Sequence, residues 1–241
     1  MMRVLALDTT TRAGSAALVV DDRVVDERGG DGTRTHALRL PGEIVTLAEA
    51  NGWPLSGVDL YAVASGPGSF TGLRIGIATI QGLAFVHGRR VVAVPVLDAL
   101  AQAASGDLAE GALIGAWMDA RRHDVFAALY RVTAAGGSRL AGVAEVEGPT
   151  VGSPASTLVR WQTLGAVLPA VFAGDGATLY AAEIARAAPA ARVLPLPLLA
   201  GVIGRLAIAR ASEAVDPASV RPLYVRRPDV EVVRDEKLRD H

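Results

Sequence analysis

Apolar and polar positions along the first sixty residues fall into short blocks that predict strands before any helix. Val4–Leu7 is a continuous apolar run that stops at the carboxylate of Asp8, the pattern of a buried strand. Ser15–Val20 and Arg23–Glu27 follow as strands around the tight turn Asp21–Asp22, giving an antiparallel meander. Leu38–Ala50 changes to helical spacing, with Ile44, Val45, Leu47 and Ala48 near one face and Pro41 tolerable only in the first turn. Leu60–Ala64 is the next strand and runs into a glycine-rich loop at Gly66. A helix over Leu73–Val86, a strand over Arg90–Val94 and a helix over Val96–Ala104 complete the first half.

The second half restarts this pattern. Ile114–Met118 is an apolar strand ending at Asp119, and Val125–Arg131 is a strand beyond it. The spacing that aligns Asp8 with Asp119 also pairs Ala16-Ala17-Leu18 with Ala127-Ala128-Leu129. At nearly the same spacing, Val63–Gly68 resembles Val171–Gly176. Chance matching of alanine-rich segments is one explanation. The other is an ancient duplication, each copy a meander with helices, a strand-end Asp and a later Gly-x-Gly turn. Two such lobes describe an α/β, two-lobed actin-like fold, the ribonuclease H-like duplicated fold of sugar kinases and heat-shock-chaperone-type ATPases. The expected division is residues 1–107 for the N-terminal, partner-binding lobe, 108–220 for the second lobe, and 221–241 for an extended, charged tail.

With 241 residues, 51% of them apolar and 20% charged, the chain can bury a full core, and with aromatics at 5% that core must be mainly aliphatic. Its net charge of −1, from 24 basic and 25 acidic residues, gives no global field to draw in a polyanion. Any contact with a nucleic acid is therefore expected to be indirect or weak, although a local basic pair, Arg226–Arg227, is present. There is no cysteine, which removes disulfides, thiol nucleophiles and thiolate metal sites together and fits a reducing compartment. The first residues reach Asp8 too soon for a secretory apolar region of about 7–15 residues. The Pro-broken run around Leu194–Ile203 falls short of the roughly 18 residues of a membrane span. A soluble, cytoplasmic protein without membrane contact is expected.

Gly66-Pro67-Gly68-Ser69-Phe70-Thr71-Gly72 lies between a strand and a helix, where backbone N–H groups and the helix dipole can meet an anion. It is neither a Walker A loop nor a dinucleotide fingerprint, and Pro67 removes one N–H donor. Anion binding and a structural turn with tight helix docking both remain open. The helix that follows carries only Arg74, Thr79 and Gln81 as clearly polar side chains, so its apolar surface runs almost all round. Either it is fully buried in a large core, or a protein partner covers a second face. The candidate partner face carries Leu73, Gly76, Ile77, Ile80, Gln81 and Ala84, with Gly72 and Gly76 allowing another backbone to approach.

Five segments resemble the TsaB (YeaZ-type) family: ALDTTT at Ala6–Thr11, SGPGSFTGLRIGIATIQGLA at Ser65–Ala84, the Asp-Ala-Arg turn at Asp119–Arg121, GDGA at Gly174–Ala177 and PLYVR at Pro222–Arg226. The resemblance covers most of the chain in order. It implies a two-lobed fold and a non-catalytic scaffold that heterodimerises with the paralogue TsaD, with the ATPase TsaE as a further partner. It also implies a role in threonylcarbamoyl transfer to the adenosine adjacent to the anticodon of ANN-decoding tRNAs, and it places the helix after the glycine loop in the TsaD contact. Whether the chain without TsaD is a monomer or a homodimer through the same helix is left open.

TsaD-like proteins hold a metal with two His four residues apart, after the strand that follows this helix. Here those positions fall on Asp98 and Gln102, and no His lies between His87 and His123. No imidazole pair remains there, so no catalytic residue and no metal ligand are assigned to this chain. His36, His87, His123 and His241 share no ligand spacing; His36 reads as a surface or cap group and His123 as part of a solvated turn. Asp8, Thr9, Thr10, Gly66, Gly68, Gly174 and Gly176 are candidates for vestigial nucleotide contact or for inherited architecture. The carboxylate of Asp175 would repel a close phosphate, so no tightly bound cofactor is expected and weak nucleotide binding is left open.

The competing functions are a free-standing ATP-dependent kinase or carbamoyltransferase of the actin-like superfamily, and a metallopeptidase, against which the lost His pair counts. No Gly-x-Ser-x-Gly elbow is present. Toward the end, Pro195–Ala211 contains a helix pattern, Pro222–Arg226 should pack on a lobe or on a partner, and Asp229–His241 reads as a frayed, charged end.

Overall fold

In the computed structural model, which describes residues 1–134, 142–164 and 167–226, ten strands form two sheets on one plan. The first holds β1 (Arg3–Asp8), β2 (Ser15–Val20), β3 (Arg23–Gly29), β4 (Leu60–Gly66) and β5 (Arg90–Pro95), in the order β3-β2-β1-β4-β5. The second holds β6 (Leu113–Asp119), β7 (Val125–Thr133), β8 (Gly142–Gly152), β9 (Val171–Ala173) and β10 (Arg192–Leu194), in the order β8-β7-β6-β9-β10. In each, an antiparallel meander leads into two parallel strands. One connectivity written twice is the duplicated, two-lobed actin-like architecture.

The continuous apolar runs are explained by burial on both faces of each central strand. Val4 and Ala6 of β1 face the core between the lobes, while Leu5 and Leu7 face outward under helices. The outer face of the first sheet is covered by α1 (His36–Ala50) and α2 (Phe70–Val86), through Ile44, Leu47, Ile77 and Ile80. The outer face of the second is covered by α4 (Pro154–Thr163), α5 (Asp175–Leu179) and α6 (Ala181–Ala187), around Trp117, Trp161 and Phe172.

Two helices are exchanged between the lobes. The helix α3 (Val96–Ala104) follows β5 yet packs on β6, and α7 (Ala200–Ala209) follows β10 yet packs on β1 and β2. Leu100 and Ile203 are fully buried between the sheets, and burial of such a side chain is worth about 1.5–3 kcal/mol. Sequence halves and spatial lobes therefore differ: α7 lies on the first sheet, and Val215 bridges Val91 of β5, although both fall inside the 108–220 division.

Three further expectations are corrected. The helix α1 begins at His36, which places Pro41 in its sixth position rather than its first turn. The bond lost is the one to the carbonyl of Ala37, and both residues are exposed, so water can serve that carbonyl. The helix pattern over Pro195–Ala211 yields only Ala200–Ala209, because Pro195 and Pro197 hold the preceding chain extended. The face each residue presents also shifts the repeat. Ala17 and Ala128 both face the inter-lobe core, opposite Ala6 and Ala116, so Asp8 answers Met118 rather than Asp119, which lies one step beyond. Arg227 and the charged end Asp229–His241 lie outside the described residues.

Candidate functional site

The lobes leave a cleft at the carboxyl ends of β1, β4, β6 and β9, the place where open α/β sheets hold ligands. Its cavity of about 1040 Å3 is lined by the β1–β2 loop, the stretch before α1, the glycine loop, the β6–β7 turn and residues 223–226.

The glycine loop is occupied by this chain's own backbone. Ser69 N–H donates to the Thr10 carbonyl at 2.7 Å, and Ser69 Oγ caps α2 by accepting from Gly72 N–H at 3.2 Å. A Cβ at Gly68 would sit 2.6 Å from Thr10 Cβ, and one at Gly72 or Gly76 would overlap Thr9. These glycines let the end of β1 lie against α2, which favours the structural turn over the anion cradle. The close approach read from Gly72 and Gly76 is made by Thr9, inside the chain.

Asp8 lies beneath this contact. Its Oδ1 accepts from Thr10 N–H at 2.9 Å and from Thr10 Oγ1 at 2.6 Å, and burial raises its carboxyl above the ordinary range. Gly66 and Gly174 both take left-handed backbone, at φ 113° and 119°, so the two turns match in conformation. Gly174 packs on the Trp117 carbonyl and Gly176 on Met118 and Asp119. Of the residues read as nucleotide contacts, only Thr10 and Gly68 reach the cavity wall; Asp8, Thr9, Gly66, Gly174 and Gly176 are packed behind it. Asp175 does reach the wall, but its Oδ1 accepts from Asp119 N–H at 3.0 Å and Gly176 N–H at 2.8 Å, and burial raises its carboxyl too.

Sequence reasoning missed the group that shapes the β1–β2 loop. Arg39 of α1 is buried and donates to the Ala13 carbonyl, to Glu43 Oε2 at 2.5 Å and to His36 Nδ1 at 2.8 Å. The other ring nitrogen of His36 meets the Thr11 carbonyl at 2.8 Å. His36 is therefore an internal bridge and not a surface cap. Arg39 and His36 share a face at a spacing of three, which was the only available signal. His87 stacks on Tyr61, His123 sits in the β6–β7 turn, and His241 lies outside the described residues.

The segment read as packing on a lobe or a partner packs on both lobes. Leu223 N–H donates to the Ser65 carbonyl at 2.7 Å, and Tyr224 Oη accepts from Arg74 Nε at 3.1 Å while its ring meets Phe70. Arg226 then crosses the cleft to the Ala120 carbonyl, at 2.8 Å, and to Asp124. The basic pair seen in sequence thus has one member neutralised by Asp124.

The expected partner face is corrected by burial. Leu73, Gly76, Ile77, Ile80 and Ala84 are buried within this chain, and Gln81 Nε2 donates to the Pro217 carbonyl at 2.8 Å. The exposed stripe of α2 runs instead through Thr71, Arg74, Ala78, Gly82 and Phe85. At the positions of the missing histidines, Asp98 accepts from Tyr130 and Arg210, and Gln102 Nε2 donates to Ser105 Oγ at 3.2 Å. No group of three or more potential metal ligands occurs among the described residues, and no described helix is long and apolar enough to cross a membrane.

Comparison with known proteins adds to this geometry. The family described as TsaD, tRNA N6-adenosine threonylcarbamoyltransferase, matches residues 29–228. An uncharacterised protein of Mycobacterium leprae is 32% identical over 238 residues, covering 97% of this chain and 57% of that one. The tRNA threonylcarbamoyladenosine biosynthesis protein TsaB of Haemophilus influenzae is 38% identical over 127 residues, 52% of each chain. The chain thus spans little more than half the length of these two curated relatives. Among solved structures, YeaZ from Pseudomonas aeruginosa superposes with a TM-score of 0.71 at 30% identity, covering 93% of this chain and all of that one.

Proposed function

This chain belongs to the TsaB/YeaZ family, and from that premise we propose that it is a scaffold subunit in tRNA threonylcarbamoyladenosine biosynthesis, without chemistry of its own, that activates a TsaD partner by forming a heterodimer. The observation that carries this reading is the outer surface of α2. Phe85 and Val86 are 82% and 75% exposed, next to the small residues Ala78 and Gly82. On α1, which packs beside α2, Leu38 is 71% and Val45 42% exposed. Two neighbouring helices that both turn apolar side chains outward fit helix-on-helix docking, with the small residues allowing close approach.

The interior of the cleft supports a subunit without catalysis. Asp8, behind its wall, and Asp175, on the wall, are engaged by backbone and hydroxyl donors, and Asp98, outside the cavity, is held by Tyr130 and Arg210. TsaE enters as the further ATPase partner, and tRNA is met through TsaD, in keeping with a net charge of −1.

The test is size-exclusion chromatography with light scattering of the chain alone and mixed with its TsaD. A Cβ at Gly82 meets nothing within 4 Å, so Gly82→Arg keeps the fold while placing a cation on the exposed stripe. Wild type is expected to form a heterodimer that the folded variant does not. Normal binding by Gly82→Arg would remove α2 as the docking face, and absence of a wild-type heterodimer would remove the scaffold reading.

A further inference from the structure

One cation interrupts the exposed stripe of α2. Among Thr71, Arg74, Ala78, Gly82 and Phe85, Arg74 alone is charged. An exposed arginine ordinarily samples many rotamers, and a partner that fixes it must offset the lost entropy. Here the chain itself does the fixing. The guanidinium carbon of Arg74 lies 3.9 Å from the centre of the Phe70 ring, one helical turn earlier, and Nε donates to Tyr224 Oη at 3.1 Å. The Tyr224 and Phe70 rings meet with their centres 5.3 Å apart.

Tyr224 is in turn anchored on both sides. One residue before it, Leu223 N–H donates to the Ser65 carbonyl of β4 at 2.7 Å, and two residues after it Arg226 is held by Ala120 and Asp124 in the other lobe. Two distant stretches of chain thus converge on one guanidinium. Yet neither Nη of Arg74 has a hydrogen bond or an ion pair among the described residues. Arg39, by contrast, spends both of its terminal nitrogens inside the chain. A stacked and tethered fork with both tips free is set for an acceptor from outside.

We propose that Arg74 is the specificity-determining residue of the α2 docking face: held by Phe70 and Tyr224, it takes a carboxylate of the TsaD partner through both Nη groups. The inference rests on the reading of α2 as the docking face. The planar fork matches two carboxylate oxygens at once. A nucleic-acid backbone is met by several cations together, whereas Ala78, Gly82, Phe85 and Val86 add none beside Arg74. One preset charge within an apolar patch suits a protein interface, where arginines and aromatics are the usual anchors. It also discriminates, because a partner without the carboxylate would leave the cation desolvated and unpaired.

The test is calorimetric titration of the full chain with its TsaD in low and in high salt, with melting temperatures as the check on folding. Arg74→Ala is expected to lose about tenfold or more in affinity and to flatten the salt dependence. Arg74→Lys keeps the charge without the fork and should recover only part of the loss. Tyr224→Phe keeps the ring on Phe70 but frees Nε, so it should lose about threefold while retaining the wild-type salt dependence, which general damage to the face would not do. A wild-type chain that does not bind TsaD removes both the docking reading and this inference. If wild type binds, the inference alone fails when folded Arg74→Ala or Tyr224→Phe binds like wild type, when Arg74→Lys recovers full affinity, when the salt dependence survives in Arg74→Ala, or when the loss appears only with tRNA present.

Discussion

Tyr130 donates its phenol proton to Asp98 Oδ1 at 2.8 Å, joining a strand of the second sheet to the helix that follows the last strand of the first. The other oxygen of Asp98 accepts from Arg210 Nη2 at 2.9 Å, at the end of α7. Where the TsaD resemblance implies a metal-binding imidazole, this chain has a carboxylate that clamps both exchanged helices to β7. Burial, and then the charge of Asp98, push the Tyr130 phenol well above its ordinary value, so it stays a donor. Tyr130→Phe leaves Asp98 its arginine and should cost about 1 kcal/mol. Asp98→Ala strands both partners and should cost about 2–3 kcal/mol. Denaturant midpoints at unchanged slope give both values, and two silent variants would dissolve the clamp.

Two arginine substitutions five residues apart on α2 should behave in opposite ways. Ile77 is 5% exposed in the core under the first sheet, so Ile77→Arg buries an unpaired cation and should cost more than about 3 kcal/mol. Gly82→Arg replaces glycine within an exposed helical stretch and should stabilise the isolated chain by about 0.5–1 kcal/mol. Thermal unfolding separates them. Equal melting temperatures would mean that the two faces of α2 have been assigned wrongly.

The contrast within α2 shows where sequence stops being informative. Strand β2 and helix α3 lie at the bounds their residues predict, because a turn at Asp21–Asp22 and a proline at Pro95 punctuate them. The all-round apolarity of α2 was equally visible, but a one-dimensional pattern cannot say which side meets the sheet. The choice was made by Thr9, which packs against Gly72 and Gly76 and so fixes the rotation of the helix. The edge strand β8 went unassigned because Gly148 and Pro149 interrupt its alternation. In the cleft, the glycine turns stood out by composition, whereas Arg39 was invisible: an arginine beside leucines on a helix reads as a solvated end.

The buried carboxylates should make stability fall as pH rises above the acid range. In the folded chain Asp8 and Asp175 have pKa values raised from 3.8, and Glu27 from 4.5, chiefly by burial. A raised folded value means the native state holds more protons, so their contribution is fully present below the unfolded value and is lost as pH climbs through the folded one. Asp26 and Asp31 are lowered, by hydrogen bonds from Arg28 and Thr33 respectively, and act in the opposite direction only below 3.8. Asp8→Asn keeps an oxygen for the two Thr10 donors and removes the titration. Its melting temperature should decline less than that of wild type on going upward from about pH 4. Parallel curves for the two proteins would mean that Asp8 is not the source of the slope.

Arg39 should control the loop that forms the floor of the cleft. A guanidinium can only donate, so His36 Nδ1 must accept from it, and the imidazole proton then sits on Nε2 and is given to the Thr11 carbonyl. Together with the bond to the Ala13 carbonyl, this relay ties α1 to the start of the β1–β2 loop at two points. Arg39→Met keeps the apolar stem but strands the Ala13 carbonyl, His36 Nδ1 and Glu43, for a cost of about 2–4 kcal/mol. Arg39→Lys restores the charge without the fork and should fall between the two. The signature that separates an anchor from general packing is local: exchange of the Gly30 amide, bonded to the Gly14 carbonyl at 3.3 Å, should accelerate more than that of the β4 amides. Uniform acceleration would make Arg39 a packing residue of α1, and wild-type exchange in a variant of full stability would remove it from the site.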